Sequence, residues 1–220
     1  MSLTISASVS SNIAPIEAGT YPAVCYGLID LGEQYNKTYD KWSPKVLLMW
    51  ELPGEKIDLG GDEPVSRTIS RSYTCSLNEK SALRRDLAAW RGRDFTDDEL
   101  RAFDLRNIVG VPCLLNIIHR EYDGRTYAEV SAIMKMPKGM TVPPRTLEKL
   151  IFDLDTDELS KLDLMPVWVG DRIKKSRTYQ ARTGVKTDVL HIDDLEQQAA
   201  RAELFDKAES GNIDDEDIPF

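Results

Sequence analysis

Between residues 35 and 42 the chain alternates rings with ammonium groups. Tyr35, Lys37, Tyr39, Lys41 and Trp42 all lie in the polar stretch "EQYNKTYDKWSP" (33–44). A ring offers a face on which a flat base can stack, and a lysine neutralises a phosphate, so this pattern suits a flexible polyanion that carries flat groups. Two further stretches repeat the combination. Arg67, Arg71 and Tyr73 fall on one face of the alternating run "VSRTISRSYTC" (65–75), and Arg120, Tyr122, Arg125 and Tyr127 flank an Asp-Gly pair. Two of these stretches also have a structural alternative. The three rings of 33–44 would otherwise fold down over the end of a barrel. Arg67 and Arg71 would otherwise form a solvated strand face, and Ile69 shares that face. Trp50 and Trp90 sit in apolar patterns and are expected in the core.

A different chemistry occupies the last residues. Asp214, Asp215, Glu216 and Asp217 run into Ile218, Pro219 and Phe220. A terminal aromatic presents a ring and a carboxylate together, which a partner protein can take in an apolar pocket with a basic rim. Pro219 fixes its own φ and biases Ile218 towards extended backbone, which lowers the entropy lost on docking. The net charge of −9 is concentrated here: residues 191–220 hold ten acids and two bases, leaving the preceding 190 residues near neutrality at −1. The acidic pI near 4.9 therefore does not exclude a polyanionic ligand for the body of the chain.

Catalytic chemistry has little support. The two histidines, His119 and His191, stand far apart, and no H-E-x-x-H, G-x-S-x-G or glycine-rich phosphate loop occurs. Cys25, Cys75 and Cys113 are widely spaced with no C-x-x-C, which argues against a disulfide framework or zinc site and for a reducing compartment. Acid pairs such as Asp153 and Asp155 are common on solvated surfaces, so no metal and no other cofactor is expected. The first residues lack the basic and apolar regions of a secretory leader. No apolar run nears the roughly 20 residues that span a bilayer. These features point to a soluble, intracellular, non-enzymatic protein with no membrane partner.

The elements that must position these residues follow from periodicity. Strands are expected at 19–32, 45–52 and 65–75, with 33–44 a loop between the first two and 53–64 a turn. The period then changes. Ser76 and Glu79 stand at capping-box spacing, and Leu83, Leu87 and Trp90 form one helical stripe that Gly92 ends. Thr96 and Glu99 open a second, short helix with Leu100 and Phe103 on its buried side. Strands return at 111–120 and 126–136, joined by the hairpin signal Asp123–Gly124.

Three strands, a helix and two strands is the order of an OB-fold, a five-stranded, partly open Greek-key barrel with a helix between strands three and four. In that fold 33–44 would be one of the loops used for oligonucleotides. The expected organisation is a flexible arm (1–18), the mainly β OB-fold domain (19–138), a linker and partly helical extension (139–190) and a disordered acidic tail (191–220). Within the extension Trp168 and Ile173 are candidate buried residues, and residues 171–190 carry six bases against two acids. An open barrel edge would allow strands to pair into a homodimer.

Two resemblances sharpen this reading. "DDEDIPF" resembles the terminal peptide of bacterial single-stranded DNA-binding proteins, Asp-Asp-Asp-Ile-Pro-Phe. That resemblance implies that Asp214, Asp215, Asp217, Ile218, Pro219 and Phe220 recruit replication, recombination and repair proteins. The stretches "GTYPAVCYGLIDLG", "SYTCSLNEKSALRRDLAAWRGRDFT" and "GVPCLLNIIHREYDGRTYAEVSAIMKMPKGM" resemble a phage and prophage family of single-stranded DNA-binding proteins. It implies an OB-fold and sequence-tolerant binding of single-stranded DNA in the cytoplasm of a bacterial host cell. The alternative function is an OB-like adaptor of a replication complex that does not itself bind DNA.

Overall fold

Alternation of apolar and polar side chains, with β-branched and aromatic residues enriched, makes strands the main regular structure of the molecule. The computed structural model describes residues 13–185 apart from Thr38 and Asp62. The expectations for residues 1–12 and for the acidic tail lie outside the described residues. Six strands form one sheet: β1 (Gly19–Asn36), β2 (Lys41–Ile57), β3 (Val65–Thr74), β4 (Pro112–Tyr122), β5 (Arg125–Met134) and β6 (Leu150–Phe152). Their order is β3-β2-β1-β4-β5, antiparallel throughout, with β6 added in parallel beside β1. Helix α1 (Ala82–Arg91) and the short α2 (Asp97–Arg101) lie between β3 and β4.

The chain is mainly β as expected, but the sheet does not close into a barrel. No ladder joins β3 to β5, so the sheet is open, although a side chain spans the gap: Arg71 Nη1 of β3 donates to the Val130 carbonyl of β5 at 3.0 Å. β1 holds the halves together. Its first residues, Gly19–Val24, pair with β4, and from Val24 to Asn36 it pairs with β2. Register shifts between Cys25 and Gly27 and between Asp30 and Gly32 allow so long a strand to bend.

Several boundaries differ from those expected. The stretch 33–44 is mostly strand, because β1 and β2 run on as a ribbon to a turn between Asn36 and Lys41. β2 likewise continues to Ile57 across an irregularity between Leu52 and Lys56. Helix α1 starts later than the Ser76–Glu79 spacing indicates. Ser81 caps it by accepting from the Arg84 N–H, and Gly92 closes it. Leu83, Leu87 and Trp90 are buried as expected, with the Trp90 ring 6.2 Å from that of the buried Trp50. The Thr96–Glu99 capping box is present. The β4–β5 hairpin turns at Asp123–Gly124, both with positive φ (49° and 69°), the geometry an Asp-Gly pair tolerates. The arm is partly fixed: Ile16 is buried in the core and its carbonyl lies 2.8 Å from His119 Nε2.

Beyond the irregular stretch 139–148, the extension forms a covering layer on the sheet. The inner face of the sheet packs with α1 around Trp50, Leu48, Leu83, Leu115 and Ile117. On the outer face, Ile29, Leu31, Leu47 and Met49 pack against Phe152, Leu154, Leu162, Val169 and Ile173. Fully burying each such side chain contributes about 1.5–3 kcal/mol relative to exposure. Val169 and Ile173 lie four residues apart on α3 (Val167–Lys174) and face the sheet, whereas Trp168 stands off that face and is exposed, against expectation.

Glu51, buried on β2, anchors the start of this layer. Its carboxylate accepts from the Thr146 N–H (2.9 Å), the Leu147 N–H (3.0 Å) and the Thr146 hydroxyl (2.8 Å). Burial works to raise its pKa, but these donors prevail and hold it below the ordinary carboxylate value.

Candidate functional site

The β1–β2 ribbon presents the ring-and-lysine stretch at its tip. Tyr35 and Trp42 are cross-strand partners, so their side chains share a face. Their ring centroids lie 5.4 Å apart at 49°. Tyr35, Tyr39 and Trp42 are 46%, 48% and 40% exposed, far more than a capping role over the core would leave them. Lys37 and Lys41 are exposed between them. The Tyr35 hydroxyl donates to the Asp40 carboxylate across the turn, and that bond raises the pKa of the phenol. The Asn36 side chain accepts from the Tyr39 N–H at 3.2 Å. The tip is thus internally braced while its ring faces meet solvent.

The β3 stripe has the opposite fate, which corrects the expectation that it is a contact surface. Arg71 and Tyr73 are buried, at 4% and 0% exposure. The Arg71 guanidinium lies 3.1 Å from the buried Asp86 carboxylate on α1, and the Tyr73 hydroxyl donates to the same oxygen at 3.0 Å. The physical reason is the company these residues keep. Ile69 and Tyr73 share the face of Arg71 and pull it to the core, while Thr68 and Ser70 take the outer face. Arg67, on the inner face but nearer the strand's start, is half-buried, and its guanidinium donates to the Ala14 carbonyl of the arm.

The β4–β5 hairpin lies at the other end of β1. β4 runs antiparallel to β1 and passes beyond Gly19, whereas the β1–β2 turn follows Asn36. Here Arg120 is exposed and ion-paired with Glu129, Arg125 is exposed, and Tyr122 and Tyr127 are half-buried. The expected residues therefore divide into two separate ends with a buried stripe between them. Asp214, Asp215, Asp217, Ile218, Pro219 and Phe220 lie outside the described residues.

A further basic segment, which the sequence shows only as a charge excess, is brought against β1. The turn between α3 and α4 (Arg177–Thr183) carries Lys174, Lys175 and Arg177, all exposed. Arg177 reaches Glu33 at 4.0 Å, and with Thr178, Ala181, Arg182 and Asp155 these two residues line an open cleft of about 610 Å³. Burial pushes the Cys25 thiol up to about 12 and Cys113 well above its ordinary value, whereas Cys75 is exposed. Among the described residues no helix is long and apolar enough to cross a membrane.

No protein-family model matches the chain, and no curated protein matches it. The hairpin's geometry and the chemistry of its side chains carry the functional reading.

Proposed function

We propose that the chain binds single-stranded DNA with little sequence preference, during phage or prophage DNA replication or recombination in a bacterial cytoplasm. The observation that carries this reading is the β1–β2 tip, where Tyr35, Tyr39 and Trp42 stay solvent-exposed between Lys37 and Lys41. Rings held open to solvent on a braced hairpin suit stacking, which contributes about 1–3 kcal/mol per base and tolerates any base because every base has a π-face. The lysines add backbone electrostatics, so binding weakens as salt rises. The strand order, with a helix between the third and fourth strands, supports an OB-type architecture whose β3–β5 seam is bridged by Arg71 instead of a ladder. In this reading the acidic segment ending in Ile218, Pro219 and Phe220 recruits replication, recombination or repair proteins.

Titration with oligo-dT, followed by tryptophan fluorescence at two salt concentrations, tests the proposal. Trp42 fluorescence is expected to be quenched, with tighter binding at low salt. Absence of binding at low salt, also after removal of residues 191–220, would overturn it and leave the adaptor role.

A further inference from the structure

The α3–α4 segment is fixed beside the aromatic hairpin by three contacts to β1 and one to β3. Gly32 sits at a register shift with φ +69°, and a Cβ placed on it would lie 2.6 Å from the Ser176 hydroxyl and 2.8 Å from Leu154. Only glycine lets the backbone of β1 approach the turn so closely. Ser176 is itself fully buried and caps α4 by accepting from the Tyr179 N–H. The next residue along β1, Glu33, donates its backbone N–H to the Thr178 hydroxyl at 2.9 Å. Gln34 donates from its side chain to the Arg172 carbonyl at 3.0 Å. Arg172 in turn donates to the Ser72 hydroxyl of β3 at 3.3 Å.

Residue 35, the first ring of the tip, follows directly. Glu33 and Tyr35 are two apart on one strand and share a face, while Gln34 points to the other face and meets Arg172, so the turn lies along the edge of β1 and Arg177 reaches round that edge to Glu33, on the side of the Tyr35–Trp42 pair. Lys174 and Lys175 project from the same rigid turn. The acids Glu33 and Asp155 in the adjoining cleft make its interior unsuited to a polyanion, which leaves the exposed side of the turn as the path.

The geometry points to a second part of the nucleic-acid interface: Lys174, Lys175 and Arg177 hold the phosphodiester backbone of the strand whose bases stack on the β1–β2 hairpin. This rests on the single-strand reading and extends it, because it makes the C-terminal extension part of the binding surface as well as a cover for the sheet. The backbone of the turn is already held when the strand arrives, so less ordering entropy is lost than with a lysine on a free linker.

The test compares the full-length chain with the triple variant Lys174→Ala/Lys175→Ala/Arg177→Ala, by oligo-dT anisotropy across a salt series. Loss of three phosphate contacts is expected to weaken binding by at least about tenfold near 0.1 M salt. It should also reduce the slope of log K against log salt by about 2. The charge-keeping variant Lys174→Arg/Lys175→Arg/Arg177→Lys is expected to retain both affinity and slope. An alanine variant with unchanged slope would overturn the inference, as would equal loss in both variants, which marks a merely structural role. Loss of binding in Trp42→Ala with the turn variants unaffected would overturn the turn's role and leave the hairpin reading standing. Failure of the wild-type chain to bind at low salt would overturn both.

Discussion

The β3 stripe and the β1–β2 hairpin carry nearly the same residue types, an aromatic with a nearby base, and the fold uses them in opposite ways. On β3, Arg71 and Tyr73 turn inward and converge on Asp86 beneath α1. On the hairpin, Tyr35 and Trp42 pair with each other and keep their outer faces in solvent. The difference lies in what flanks them. Ile69 on β3 shares the arginine's face and makes it the core face, whereas the hairpin extends past the last core residue of β2, Val46, into a polar turn. Residue type alone therefore does not distinguish a structural cation from a contact cation. The neighbours two positions away decide it.

The largest effect that would test this contrast is Arg71→Ala. Removing the guanidinium leaves the Asp86 carboxylate buried with its nearest cation gone and the Val130 carbonyl without that donor. Breaking a buried pair from one side costs about 3–5 kcal/mol. Urea denaturation should show that loss, while the affinity for oligo-dT per folded molecule stays close to wild type. A variant of undiminished stability that binds DNA poorly would reverse the assignment and return the stripe to the contact surface.

The reciprocal experiment is Trp42→Ala, with a smaller effect of the other kind. Loss of one stacking platform is expected to weaken oligo-dT binding by about 1–3 kcal/mol, roughly 5- to 150-fold. Stability should fall less than in Arg71→Ala, because the half-exposed indole gives up chiefly its pairing with Tyr35, about 0.5–1.5 kcal/mol. If urea stability drops while affinity holds, the ring is a cap on the end of the sheet and the contrast with β3 disappears.

Much of the sheet was legible because local signals agree with the final structure. Gly92, the Thr96–Glu99 box and the Asp123–Gly124 turn all act where their chemistry indicates. What stayed hidden depends on residues far apart in sequence. Nothing local says that β3 and β5 fail to form a ladder, or that Arg71 reaches across to Val130, 59 positions away. The run 137–146 looks like a linker from its prolines, yet Thr146 meets Glu51 from 95 positions away. The charge excess of 171–190 was visible, but its position beside the rings depends on Gly32 meeting Ser176. Ile69, in contrast, was a readable sign that the arginine stripe belonged inside.

The smallest effect concerns Glu51, which resembles the buried β3 groups in burial but holds the cover layer instead of the sheet. Its partners are the Thr146 and Leu147 N–H groups and the Thr146 hydroxyl. Because the folded pKa is depressed, the charged form contributes stability that is fully present above the ordinary glutamate value of about 4.3 and is lost as pH falls through the folded value. Glu51→Gln is therefore expected to be less stable than wild type by about 1 kcal/mol at neutral pH. That difference should shrink on acidification as the wild-type carboxyl takes up its proton. Other lowered carboxylates, Asp94, Glu99, Asp104 and Asp157, titrate in both proteins and cancel in the comparison. Denaturant melts of the two chains between about pH 3 and 7 measure the difference directly. A gap of constant size across that range would mean that Glu51 acts through shape rather than charge. The anchor of the cover layer would then be indifferent to protonation.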